Sequence, residues 1–125
     1  MKEVDEAADN NLGIYHIQTI GRDFLLVSFL NEVVNVYRQD TKEFLKRLHV
    51  GHLFSSLVHD DIVLLGSFAS VIILASESME VIAQIPTQNS VFSLCMFDET
   101  TFLCGQYDGF MDVVSTVDSQ LRTMF

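Results

Sequence analysis

Three histidines and two adjacent aspartates gather in one stretch of this chain: His49, His52 and His59, then Asp60 and Asp61. Imidazole and carboxylate are zinc donors, and a site needs them to converge at about 2.0–2.3 Å from one point. The spacing argues against that. His49 and His52 fall at a strand end and in a loop, and His59 follows a full strand later. These are loop histidines, and no metal is expected. Asp60-Asp61 could serve as a carboxylate pair for proton transfer. Adjacent residues on a strand point to opposite faces, however, so a polar turn is the simpler account.

Cys95 and Cys104 are the other candidates for chemistry. If the hairpin between them turns within residues 98–101, paired positions sum to 199, and Cys95 faces Cys104. Directly opposed residues of an antiparallel pair lie about 4.5–5.5 Å apart between Cα atoms, so a disulfide is conceivable there. Two reduced, buried thiols are the expectation in a reducing compartment. There is no nucleophile elbow, phosphate loop, dinucleotide fingerprint or paired-histidine metalloprotease motif. No catalytic residue and no cofactor are expected.

The elements that position these residues recur. Residues 24–37, 62–75 and 102–114 read FLLVSFLNEVVNVY, IVLLGSFASVIILA and FLCGQYDGFMDVV, with Ser28, Gly66 and Gly105 at the same place in each. The separations are 66 − 28 = 38 and 105 − 66 = 39 residues. A period near 40 built from short apolar runs points to blades of a β-propeller. Each unit divides into four strands, at 13–19, 24–29, 33–38 and 43–48, then 53–59, 62–67, 71–76 and 80–85, then 91–97, 101–106, 110–115 and 119–124. Polar breaks such as Gly21-Arg22-Asp23, Asp60-Asp61 and Asp98-Glu99-Thr100 suit hairpin turns. The run Val71-Ile72-Ile73-Leu74 is apolar on both faces, as a strand between stacked sheets would be. The expected fold is all-β, about three four-stranded antiparallel blades of an incomplete propeller, in units of about 13–49, 50–86 and 87–125. Residues 1–12 are acidic and read as a disordered lead-in.

Composition narrows the partners. Half the chain is apolar (49%), which argues against disorder for most of it. The net charge is −10, and beyond Leu48 the only Lys or Arg is Arg122. Phosphate backbones need cations to displace their counterions, so nucleic acid and anionic membrane surfaces are disfavoured. The basic cluster Arg38, Lys42, Lys46 and Arg47 is diluted by Asp40 and Glu43, and reads as a solvated turn. No apolar run reaches the roughly 18 residues of a membrane-spanning helix, and residues 1–11 lack a signal peptide's apolar core. Cytoplasm or nucleus is the default compartment.

Residues 90–114, SVFSLCMFDETTFLCGQYDGFMDVV, resemble the body of a WD repeat. The Val-x-x-Leu strand, the acidic turn, the small-Gly step and the Asp108-Gly109 turn carry the likeness. Gly51-His52 stands where WD repeats carry their Gly-His pair. The pattern departs in several respects: there is no Trp, and Tyr37-Arg38, Ala75-Ser76 and Val114-Ser115 hold the Trp-Asp positions; the unit holding His52 has Ala69-Ser70 at the turn, and the unit holding Asp108 has Gln88-Asn89 in place of Gly-His. No unit carries the family's full network of histidine, strand hydroxyl, turn aspartate and Trp, so packing must hold these degenerate blades.

The resemblance implies a non-catalytic scaffold that binds a protein or peptide at its loops. The candidate contact residues are His49, His52, Asn89, Asn31, Ser70 and Asp108, and the acidic bias implies a partner with a basic surface. An enzyme domain on a propeller or small β-barrel is the competing class. Three blades are fewer than the four to eight of a closed propeller. A fragment of a larger propeller, self-association or completion by another protein, and a different all-β closure are the competing resolutions.

Overall fold

The computed structural model describes residues 13–115 and 121–123, twelve strands in three sheets. The lead-in at 1–12 lies outside the described residues, as do parts of the last expected strand. The first sheet is β1 (Ile14–Ile20), β2 (Phe24–Phe29), β3 (Val33–Arg38) and β4 (Phe44–His49). The second is β5 (Leu53–His59), β6 (Ile62–Ser67), β7 (Ser70–Ala75) and β8 (Val81–Pro86). The third is β9 (Val91–Met96), β10 (Thr101–Gln106), β11 (Met111–Ser115) and β12 (Leu121–Thr123). Each is an antiparallel meander in chain order. Three separate four-stranded sheets are propeller blades, not the staves of a barrel. By contacts the chain divides into two compact units, Met1–His52 and Leu53–Phe125.

The strands form where β-branched and aromatic runs meet turn residues. β2, β3, β5, β6 and β10 fall on the expected bounds, and the others shift by a residue or so. The turns also tie to one another in the same way twice. Gln39 N–H donates to Asp23 O at 2.9 Å in the first sheet, and Ser76 N–H to Asp61 O at 2.9 Å in the second. Asp60 has φ 53°, so the aspartate pair is a turn.

In the second unit the core is the seam between two blades. Leu64, Val71, Ile73 and Ile85 of one sheet meet Val91, Phe102, Cys104 and Val114 of the next. The opposite face of the middle sheet, Val63, Leu65, Ile72 and Leu74, is equally buried. The double-sided apolar run is thereby explained. In the first unit Leu26, Val34 and Val36 are the most deeply buried apolar side chains.

The cysteine pairing differs from the expectation. Cys95 lies opposite Leu103, and Cys104 opposite Leu94, so paired positions sum to 198. The Asp98 side chain accepts the Thr100 N–H at 3.0 Å, which makes a three-residue loop. That bond also holds the Asp98 carboxyl below the usual carboxylate range, helped by the Thr101 side chain. A one-residue change of register turns every side chain over. Cys95 is exposed on one face and Cys104 buried on the other, both as free thiols.

Candidate interaction surface

One end of each sheet carries both the turn from second to third strand and the chain entering the first. In the first unit this end gathers Asn31, His49 and His52. The Asn31 side chain accepts the Val33 N–H at 3.3 Å, and His49 pairs with Val33 across the ladder. Gly51, at φ 85°, supplies the left-handed step that brings His52 back over the sheet. The His52 ring then stacks on Tyr15, with centroids 4.5 Å apart and planes at 17°. Its Nε2 lies 3.0 Å from the Leu30 carbonyl oxygen, so the stack and one hydrogen bond fix the ring.

The second unit gathers Ser70, Asn89 and Asp108 at the same end. Ser70 is buried, its hydroxyl 2.7 Å from that of Ser67 and accepting from Gln84 Nε2 at 3.2 Å. The Asn89 N–H donates to Gln106 Oε1 at 3.0 Å, and Gln106 Nε2 donates to the buried Asp112 carboxylate. Asp108 is exposed and accepts the Phe110 N–H at 3.2 Å, closing the turn at Gly109. Backbone bonds from Thr87 to Ala69 O and from Tyr107 to Ser90 O lash these loops together, each at 2.9 Å.

Most of these polar side chains are spent on building the loops. What they leave to solvent is aromatic. Phe54, Phe92 and Tyr107 meet edge to face, with centroids 4.8 and 5.4 Å apart. Tyr107 is 71% exposed and Phe92 46%, and Phe68 and Phe110 stand exposed on the neighbouring turns. The cause is a bulge repeated in each blade. Register skips one residue at the start of each first strand, and the residues skipped are Tyr15, Phe54 and Phe92. A bulge re-aims the side chain it leaves unpaired. The spacings, 54 − 15 = 39 and 92 − 54 = 38, are those of the repeat, so the sequence held the signal.

The remaining sequence candidates are dispersed. His59 Nε2 lies 3.2 Å from Glu99 O and 3.4 Å from an Asp60 carboxylate oxygen. Among the described residues no group of three or more His, Cys, Asp or Glu could hold a metal. Lys42 Nζ donates to Gln39 O at 2.7 Å, and Arg47 Nε to Asn35 Oδ1 at 3.1 Å, so the basic cluster is partly absorbed by its own sheet. No described helix is long and apolar enough to cross a membrane.

No family model and no curated protein sequence matches the chain. Solved structures do. The U3-55K structure and the RRP9 WD40 repeats each superpose with a TM-score of 0.75 at 11% identity, over 94% of this chain. The WD40 domain of Toxoplasma gondii coronin superposes with a TM-score of 0.64 at 19% identity, over 80%. This is the fold of WD-repeat blades. The chain spans 40%, 40% and 30% of the length of those structures, a partial propeller beside them.

Set against WD repeats, each blade here fastens its loop end with a substitute. In the third blade Asn89, Gln106 and Asp112 link the incoming loop to the second and third strands. In the middle blade Ser67, Ser70 and Gln84 instead link the second, third and fourth strands. In the first, His52 grips the Leu30 carbonyl and the Tyr15 ring. The absence of Trp is legible in the sequence but these replacements are not, because Gln and Ser carry no family signature.

Proposed function

We propose that this chain is a non-catalytic interaction scaffold that binds a protein or peptide with a basic surface at the loop end of its WD-like blades. One observation carries the reading: Phe54, Phe92 and Tyr107 form a contiguous aromatic cluster in which Phe92 and Tyr107 are exposed and Phe54 is half-buried. Exposed apolar patches with polar rims mark interaction sites, and aromatic faces attract cations, by about 0.5–2 kcal/mol each. The rim includes Asp108, Asn89 and Gln88, and the whole chain carries −10. His49, His52 and Asn31 form the corresponding surface on the first blade. Ser70 supports its loop from within. The proposed role needs no cofactor, and its setting is the cytoplasm or nucleus.

The test is fluorescence anisotropy with a panel of short Lys- and Arg-containing peptides, at low and high salt. Tyr107→Ala and Phe92→Ala should weaken the best binder by roughly tenfold while leaving circular dichroism unchanged. High salt should weaken it further. Binding that ignores both the aromatic substitutions and the salt would sink the proposal.

A further inference from the structure

The seam between the middle and third blades joins polar group to polar group where it can. Ser55 on β5 lies opposite Gly66 on β6, and its hydroxyl donates to the Val91 carbonyl on β9 at 3.0 Å. A Cβ at position 66 would lie 2.7 Å from that carbonyl oxygen, so the approach depends on glycine. Leu64, Ile73, Phe102 and Val114 fill the apolar layer beside it. Among the described residues of this unit, one buried side-chain polar atom has no hydrogen-bond partner: Asp112 Oδ1.

Asp112 reaches its place by register. It lies opposite the wholly buried Cys104 on β10, and Val114, two residues further along β11 on the same face, belongs to the seam core. Asp112 is 2% exposed. Gln106 Nε2 donates to its Oδ2, and Gln106 Oε1 is itself held by the Asn89 N–H at 3.0 Å. One carboxylate oxygen is thereby fixed and the other left over. A carboxylate removed from water needs donors or a counter-charge. The only Lys or Arg beyond Leu48 is Arg122, and it is registered opposite Val113 rather than Asp112. Protonation does not resolve the shortfall, because an O–H at Oδ1 would find no acceptor.

The missing donor therefore comes from outside the described chain, and the position says from which side. Asp112 stands two residues past the turn of Tyr107, Asp108, Gly109 and Phe110, all four exposed, and Tyr107 belongs to the aromatic cluster at the loop end. We propose that Asp112 Oδ1 receives the ammonium group of a lysine on the bound partner, admitted as this turn gives way. The proposal rests on the loop-end reading above and adds the side chain that is read. A lysine stem lies along apolar surface with its charge at the tip, and the rings of Phe92 and Tyr107 favour a cation passing them. The choice of cation follows from Gln106. A guanidinium makes its strongest pair through both carboxylate oxygens, and one is already taken. A compact ammonium needs a single acceptor.

The peptide panel tests this when it is made as matched pairs that differ only by Lys or Arg. Anisotropy on the full chain should show the Lys member of the best pair binding more tightly than its Arg match. That preference is measured on the unaltered chain and does not depend on how a variant folds. Asp112→Asn keeps an oxygen for Gln106 and turns an amide N–H toward the incoming ammonium. It should weaken the Lys peptide by about tenfold or more and erase the preference. Its thermal melt should not fall, because a buried charge without a partner has been removed. An Arg preference or none in the unaltered chain, or an Asp112→Asn variant that binds the Lys peptide as before, overturns the proposal. If Tyr107→Ala and Phe92→Ala weaken binding while Asp112→Asn does not, the loop-end reading stands and the lysine site falls. A chain that binds no member of the panel removes both.

Discussion

The joint around Gly66 and the face around Gly105 are built from the same parts and meet different neighbours. At the first, a serine–glycine pair takes the backbone of Val91 and a full apolar layer closes over it. At the second, the same pair faces solvent beside Cys95. The local chemistry of a blade is therefore set by its own sequence, while its contribution to stability is set by what lies against it. Identical residue types at equivalent positions should differ several-fold in their energetic weight.

Removing the centre of the joint should have the largest effect. Phe102 is wholly buried in it, and Phe102→Ala should cost about 3–5 kcal/mol, read by urea denaturation. Gly66→Ala comes next. Its Cβ collides with a serine hydroxyl and with backbone that cannot easily retreat, so about 1–3 kcal/mol is expected. Gly105→Ala is its counterpart. There the Ser93 hydroxyl alone is in the way and can rotate into water, so a change within about 0.5 kcal/mol is expected. Equal losses from the two alanines would break the comparison. Ser55→Ala should cost about 1 kcal/mol, through the lost bond to the Val91 carbonyl, and Ser93→Ala should leave the isolated chain's melt unmoved.

The cysteines sharpen the contrast without mutation. Cys95, on the open face, should react at once with a thiol reagent, and Cys104 only when the chain opens. Burial, and secondarily the charge of Asp112, pushes the Cys104 thiol up from 9.0 to about 12. The folded form thus holds its proton where the unfolded chain has lost it. Stability from this group is intact below pH 9.0 and falls as pH rises toward about 12. A melting temperature flat across that window in the native chain, or falling equally in Cys104→Ala, would contradict the assignment.

Much of this fold is legible in the sequence, because apolar runs bounded by Gly, Asp and Asn specify strands and hairpins locally. β2 is such a run, with Gly21-Arg22-Asp23 before it and Asn31 after. The cysteine register was not legible, because it depended on whether Asp98 would draw the Thr100 N–H into a three-residue loop. The aromatic cluster was missed for a related reason. Simple alternation along a strand does not reveal a bulge, and Tyr15, Phe54 and Phe92 are the residues left unpaired because each blade has one. The loop polar residues were placed at the correct end, yet sequence could not show that Ser70 would be consumed by Ser67 and Gln84.

Each sheet pairs only strands that follow one another along the chain. Pairing within a blade therefore closes loops of a few residues, while the Ser55–Val91 bond spans 36. Closing the longer loop costs about 2 kcal/mol more in chain entropy. A chain emerging from a ribosome would zip each meander soon after its fourth strand appears, and seal the joint between neighbours afterwards. Assembly order is thus written into the connectivity, with each finished blade serving as the template for the one that comes after.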